Sequence, residues 1–192
     1  MKKIIVIAIL FAWVVGVRAQ QYQSRTQYPT NTIAERDKPI QLSLTPDIAL
    51  YPRDTIVRGF SLNIWGENRQ YSLTLGIVNG SVGDSAGFSW GIVNYDEIYH
   101  GVQWGIVNVS KQEFVGWQRG FVNFDQGNFI GFQDAFVNVS EETHGFQLGL
   151  VNYAQQLRGL QIGIINVAMN NGWFDELPDK LATGFPIINW SF

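Results

Sequence analysis

The chain has 192 residues, 16 acidic against 13 basic side chains, a net charge of −3 and no cysteine. An acidic balance supplies no basic field for nucleic acid, and the absence of cysteine removes disulfides, thiol nucleophiles and zinc-thiolate sites together. Stability has to come from packing and hydrogen-bonded ladders.

Lys2 and Lys3 precede an apolar run from Ile4 to Val17, and Val17-Arg18-Ala19 stands ahead of Gln20. A basic start, an apolar stretch below the ~20 residues of a membrane helix and small residues before the break predict a signal peptide over 1–19. Its removal takes Lys2, Lys3 and Arg18 away and leaves a net charge of −6. Residues 20–38 are polar, mixed in charge and without apolar periodicity, which predicts a flexible leader.

From Pro39 the pattern changes to period two, and residues 39–192 are expected to form one repeat-built β domain. Ile40, Leu42 and Leu44 alternate with Gln41, Ser43 and Thr45, the mark of a strand. Phe60, Leu62 and Ile64 form a second alternating run, and Tyr71, Leu73, Leu75 and Ile77 a third. The intervening Gly66-Glu67-Asn68 is expected to close a β-hairpin.

One phrase then recurs, most clearly as GFSWGIVN (87–94), GVQWGIVN (101–108), GFQLGLVN (145–152) and GLQIGIIN (159–166). Its closing asparagines are Asn79, Asn94, Asn108, Asn123, Asn138, Asn152 and Asn166, at steps of 15, 14, 15, 15, 14 and 14. So short and regular a period is one supersecondary unit laid down repeatedly. One face of each unit is aromatic or aliphatic, and the other is Gly, Gln or Ser. Glycine is a poor strand residue, so its return at two fixed positions predicts close backbone approach or a hard bend. Gly172–Thr183 is expected to be a longer loop before a last strand carrying Ile188, Trp190 and Phe192. The total is about ten short strands, all-β, with no helix after the signal peptide.

Two closures fit. An outer-membrane antiparallel β-barrel suits the signal peptide, the 14% aromatic content and the terminal aromatic strand, in which Trp190 and Phe192 are candidates for membrane targeting. In a β-solenoid each unit is one coil and the seven asparagines stack as a ladder. The step of 14–15 favours the solenoid, because an antiparallel barrel would duplicate hairpins of twice that length. Eight or nine tilted residues also span only about 20 Å of a ~25 Å apolar band. The ending and the signal place the barrel first and the solenoid second.

Where other units carry Trp90, Trp104, Leu148 and Ile162, two consecutive units carry Arg119 and Asp134, which are expected to be neighbours forming an ion pair. The phrase GLQIGIIN and the ending FPIINWSF resemble a family of bacterial surface-repeat proteins whose units read like GLQIGLVN followed by a short polar turn. The resemblance covers roughly residues 71–192. It implies an exported envelope or surface protein without an assigned enzyme activity, and it supplies no catalytic residues. Ser72, Arg119, Asp134 and Ala135 depart from that pattern.

No catalytic set emerges. His100 and His144 share an offset, but other strands intervene, and no metal or cofactor site is expected. Asp96, Glu97, Asp125, Glu141, Glu142, Asp175 and Glu176 fall in turn contexts and read as a solvated rim. The asparagines read as structural, satisfying backbone groups at strand ends. Trp90, Trp104 and Trp117 lie on the apolar face, where lipid contact or core packing is expected ahead of sugar stacking. The resulting expectation is a non-enzymatic outer-membrane or cell-surface repeat protein, with outer-membrane lipids as partners. A soluble exported module binding glycan or protein, through turn residues such as Tyr95 and Tyr153, is the second reading, and an exported hydrolase a distant third.

Overall fold

The computed structural model describes residues 37–192, so the signal peptide and the leader up to Arg36 lie outside the described residues. Strand β1 starts at Asp37, two residues ahead of the expected break. The strands are β1 (Asp37–Thr45), β2 (Ile48–Ala49), β3 (Ile56–Ser81), β4 (Asp84–Trp104), β5 (Val107–Arg119), β6 (Val122–Asp134), β7 (Val137–Leu148), β8 (Val151–Ala168) and β9 (Gly184–Ser191). They form one sheet in the order β2-β1-β3-β4-β5-β6-β7-β8-β9.

Pairing is parallel from β1 to β3 and through every step from β3 to β8, and antiparallel only at β1 with β2 and β8 with β9. The chain is therefore a β-solenoid, and the expected antiparallel barrel is wrong. The physical reason is the register: Asn94 pairs with Asn108, Asn108 with Asn123, Asn123 with Asn138 and Asn138 with Asn152. Identical residues can lie side by side at every step only if all strands run the same way. The expected hairpin at Gly66 is also absent, since β3 runs through it. A Cβ on Gly66 would come within 2.3 Å of the Asn63 side chain, so the glycine makes room rather than a turn.

The alternation of 14 and 15 has a local cause. Between Asn94 and Asn108 pairing skips Glu97 alone, whereas the opposite coil skips Lys111 and Gln112, so Asp96 faces Ser110 and Ile98 faces Glu113. The extra residue of a 15-residue coil is a bulge at this one polar corner, and the other paired positions from β3 to β8 keep register. A second corner falls at Gly105–Ile106 and its equivalents, where a bend interrupts the strands. A third is set by the leading glycine: Gly101, Gly116, Gly131, Gly145 and Gly159 all have φ between 136° and 144°.

The inside of the coil is amide and the outside is apolar. All seven repeat asparagines are at most 1% exposed, as are Gln103, Gln118, Gln133, Gln147 and Gln161. Each asparagine Nδ2 donates to the Oδ1 of the next, at 3.0 Å from Asn79 to Asn94 and 2.8 Å from Asn94 to Asn108, and so on to Asn166. Most spend their other hydrogen on a backbone carbonyl, as Asn108 does on Arg119 O at 3.0 Å. Asn63 extends the ladder by one step, donating to Asn79 at 3.1 Å. The glutamines form a second ladder of opposite sense, with Gln147 donating back to Gln133 at 2.7 Å and Gln161 back to Gln147 at 2.8 Å. A polar interior is stable only when its groups are paired, and repetition lets one solution serve every coil. The apolar clusters inside are a stack of Tyr99, Phe114 and Phe129, with ring centroids 5.8 and 5.7 Å apart, and a small group of Ala154, Leu157 and Ala168.

Asn108→Ala strands two buried groups at once, one hydrogen of Asn94 Nδ2 and Asn123 Oδ1, while Arg119 O keeps its bond from Gly105 N. At ~1–3 kcal/mol for each unsatisfied group, partly relieved by water, the loss should be about 3 kcal/mol in urea unfolding. A loss below about 0.5 kcal/mol would mean the ladder contributes nothing.

Candidate functional site: an exposed apolar sheet face

The side chains that a globular protein would bury form columns on the outside. The central column is Leu75, Trp90, Trp104, Arg119, Asp134, Leu148, Ile162 and Ile188. Strand registers join Leu75 to Trp90, Trp104 to Arg119 and onward to Ile188. The hydrogen bond from Ile106 N to Ile92 O, 2.9 Å, sets Trp90 and Trp104 in consecutive coils. A flanking column holds Trp117, Phe132, Phe146, Leu160 and Trp190. The other flank holds Ile77, Ile92, Ile106, Phe121, Phe136, Leu150 and Ile164, all between 46% and 65% exposed.

The outward placement agrees with the face assignment of the barrel reading and corrects the core packing of the solenoid reading. Lipid contact or core packing was expected of the apolar face, and the solenoid's core is instead the opposite, amide face. A usable signal was present: in most units an amide stands two residues before and another three residues after the second glycine, as Gln103 and Asn108 do about Gly105, and a column of identical amides pairs with itself while backbones pass this closely. A Cβ on Gly105 would meet Asn94 Nδ2 at 2.7 Å and Gly91 O at 2.9 Å.

Between the central column and the isoleucine flank runs an open groove of about 620 Å³. Trp90, Trp104 and Arg119 form one wall, Ile92 and Ile106 the other, and Gly91, Gly105 and Gly120 the floor. Aromatic contacts run along the face, with Trp104 edge-on to Phe88 at 5.4 Å and to Trp117 at 5.2 Å, and Phe121 stacked on Phe136 at 4.6 Å. Arg119 Nε lies 3.5 Å from Asp134 Oδ2, in the midst of these columns.

The remaining sequence candidates scatter. His100 pairs across the sheet with Val115, and His144 with Ile130, so the two share a column with other strands between them. Among the described residues no group of three His, Cys, Asp or Glu side chains could hold a metal ion. Trp190 lies in β9 and donates through Nε1 to Pro178 O at 2.8 Å, and Phe192 is 79% exposed at the chain end. Tyr95, expected at an accessible turn, is buried: its hydroxyl donates to Glu67 Oε2 at 2.6 Å and accepts from Trp65 Nε1 at 3.1 Å. Burial and the adjacent Glu67 charge push its pKa above the ordinary phenol value.

The expected rim of carboxylates is corrected at two positions. Asp96 and Asp125 point into the coil and are buried. Asp96 Oδ1 accepts from Ser110 Oγ at 2.6 Å and Oδ2 from Gln103 Nε2 at 2.7 Å. Desolvation raises its pKa to about 7, against the opposing pull of those two hydrogen bonds. Asp125 accepts from Gln118 at 3.2 Å and from Gln133, and burial together with the Asp96 charge raises its pKa well above the ordinary carboxyl range. Neither faces a cleft, so they are structural acids. A scan against protein-family models and searches of curated proteins and of solved structures each return no match.

Proposed function

We propose that this chain is a non-enzymatic, exported structural protein of a bacterial envelope or surface, and that it works by association through its apolar sheet face. The observation that carries the reading is the unbroken run of exposed apolar columns beside the Leu75–Ile188 column. Soluble monomers rarely expose a contiguous apolar patch larger than a few hundred Å² unless it meets something. The signal-peptide pattern of residues 1–19 and the likeness of the repeat to bacterial surface-repeat proteins support the address.

Cell fractionation with mass determination of the mature chain tests this reading. The expected result is cleavage after Ala19 and recovery with the envelope, and release of the protein when Ile106→Glu and Phe121→Glu are combined. Recovery of an uncleaved chain in the cytoplasm, or a distribution unmoved by the face variant, would sink it. A second reading, a binding module, is favoured by the groove between Trp104 and Ile106 with Arg119 at its wall. Glycan or peptide binding lost in Trp104→Ala but kept in Tyr153→Ala would support it.

A further inference from the structure

The central column has an internal symmetry. Over the eight coils from Leu75 to Ile188 the fourth and fifth members, Arg119 and Asp134, are charged and of opposite sign and the rest are apolar; beyond Leu75 the column runs on through Leu62 and Leu42. Reading outward from that pair, Trp104 stands opposite Leu148, Trp90 opposite Ile162 and Leu75 opposite Ile188. About the charged pair these eight positions are thus complementary under reversal: tryptophan meets a smaller aliphatic at the two inner steps and leucine meets isoleucine at the outer one.

We propose that the occupant of this face is a second copy of the chain, packed sheet to sheet about a two-fold axis that runs along the strand direction between β5 and β6. This inference rests on the association reading above and names the partner. Such an axis reverses the order of coils and keeps the columns in place. It lays Arg119 over the partner subunit's Asp134 and Asp134 over the partner subunit's Arg119. The four charges form a square of alternating sign, and each tryptophan meets a smaller side chain. The other face-to-face two-fold, along the stack, would set arginine on arginine, and like-charge contact is repulsive. The contact is isologous, as a two-fold requires.

Area and charge favour a copy over lipid. Eight strands at ~4.8 Å and three alternate residues of width cover about 700 Å², close to the ~800 Å² per partner of a standard interface. A lipid-facing surface gains nothing from an ion pair at its centre, where a charged side chain is unfavourable. In the dimer each charge acquires a second partner.

The test uses the full chain expressed with its export segment and purified, with sedimentation velocity across micromolar concentrations. The wild type is expected to be a dimer. Arg119→Asp alone and Asp134→Arg alone should each weaken dimerisation at least about 100-fold while keeping the β circular-dichroism spectrum, since each sets like charges opposite one another at two symmetry-related places. Mixing these two variants should restore a heterodimer, because every facing pair is then opposite in sign. A variant that fails to fold is revealed by the spectrum, and the double exchange Arg119→Asp with Asp134→Arg, which should dimerise normally, then serves in its place. A wild-type monomer at all concentrations, or single variants as dimeric as the wild type, overturns the proposal. Wild-type monomers that float with phosphatidylethanolamine–phosphatidylglycerol vesicles would overturn the second-copy proposal and leave the association reading standing. Absence of both dimer and vesicle binding would remove both.

Discussion

Asp96→Asn should stabilise the protein by about 4 kcal/mol at pH 8 and flatten its stability between pH 4 and 7. Asp96 is buried in the coil, and its pKa rises from 3.8 to about 7 chiefly by desolvation. In the window between those values the folded state binds a proton that the unfolded state has released. Stability is therefore full at the acid end and falls as the pH rises through the window, with the loss complete above about 7. A shift of some three units at ~1.4 kcal/mol each gives the expected figure. The neutral acid fits the site: a proton on Oδ1 can be donated to Ser110 Oγ, whose own hydrogen then turns to Glu113 O at 3.3 Å. Asparagine reproduces that arrangement, with Nδ2 donating to Ser110 and Oδ1 accepting from Gln103. Asp125→Asn should not bring the same gain, because both Asp125 oxygens already accept from glutamine amides and an Nδ2 would face a donor. Urea midpoints at pH 5 and pH 8 for the two variants decide the matter. Equal stability of wild type and Asp96→Asn at pH 8 would mean that the acid is not desolvated.

Gly116→Ala should prevent folding at 37 °C. The residue has φ 141°, a conformation that side chains rarely adopt, and an added Cβ would lie 1.8 Å from Gly101 O. That oxygen is backbone and cannot swing away. Relief would require two coils to separate, which would break the asparagine and glutamine ladders beside the glycine, so the expected cost exceeds ~4 kcal/mol. Gly83→Ala is the control: its φ is 59°, but nothing lies within 4 Å of its Cβ, so only the left-handed backbone cost of about 1–2 kcal/mol remains. Thermal unfolding midpoints of the two variants should differ by at least about 5 °C, at ~2–4 °C per kcal/mol for a domain of this size. Similar midpoints would mean that the coils do not stack as closely as the Gly101 and Gly116 backbones indicate.

The repeat made the strands and their corners legible, because period two and the return of glycine each have one backbone meaning. Direction was harder to read. A phrase such as GVQWGIVN specifies which side chains share a face and says nothing of whether the next strand runs with it or against it. The 14–15 step argued for parallel strands, while the signal-peptide pattern and the Trp190–Phe192 ending drew the reading toward a barrel. Those features concern export and edge chemistry, and neither bears on strand direction. Which face is buried depended on the closure: the barrel reading turns the apolar face outward with the Gly/Gln/Ser face inside, and the solenoid reading buries the apolar face. Hydrophobic patterning assumes that the apolar face is the buried one, but Asn94, Asn108 and Gln118 can be buried at small cost when each is hydrogen-bonded to its own copy in the next coil. Asp96 and Asp125 looked exposed by the same logic, since acids in a polar stretch are normally solvated. Their places in the columns that face Ser110 and Ser140 became visible only with the register.

Parallel stacking in register is the claim on which the ladders, the apolar columns and the self-complementary face all depend. It can be tested by disulfide formation, which the absence of native cysteine makes unambiguous. Val115 and Ile130 are paired across β5 and β6 on the outer surface, away from the apolar columns. Adjacent parallel strands lie ~4.8 Å apart, within the ~4.4–6.8 Å Cα separation a disulfide requires. Val115→Cys with Ile130→Cys should form an intramolecular disulfide rapidly under mild oxidation, while Val115→Cys with His144→Cys, two coils apart, should not. In an antiparallel barrel residues 115 and 130 would sit at opposite ends of neighbouring strands. Failure of the 115–130 pair to close in the folded protein would contradict the solenoid.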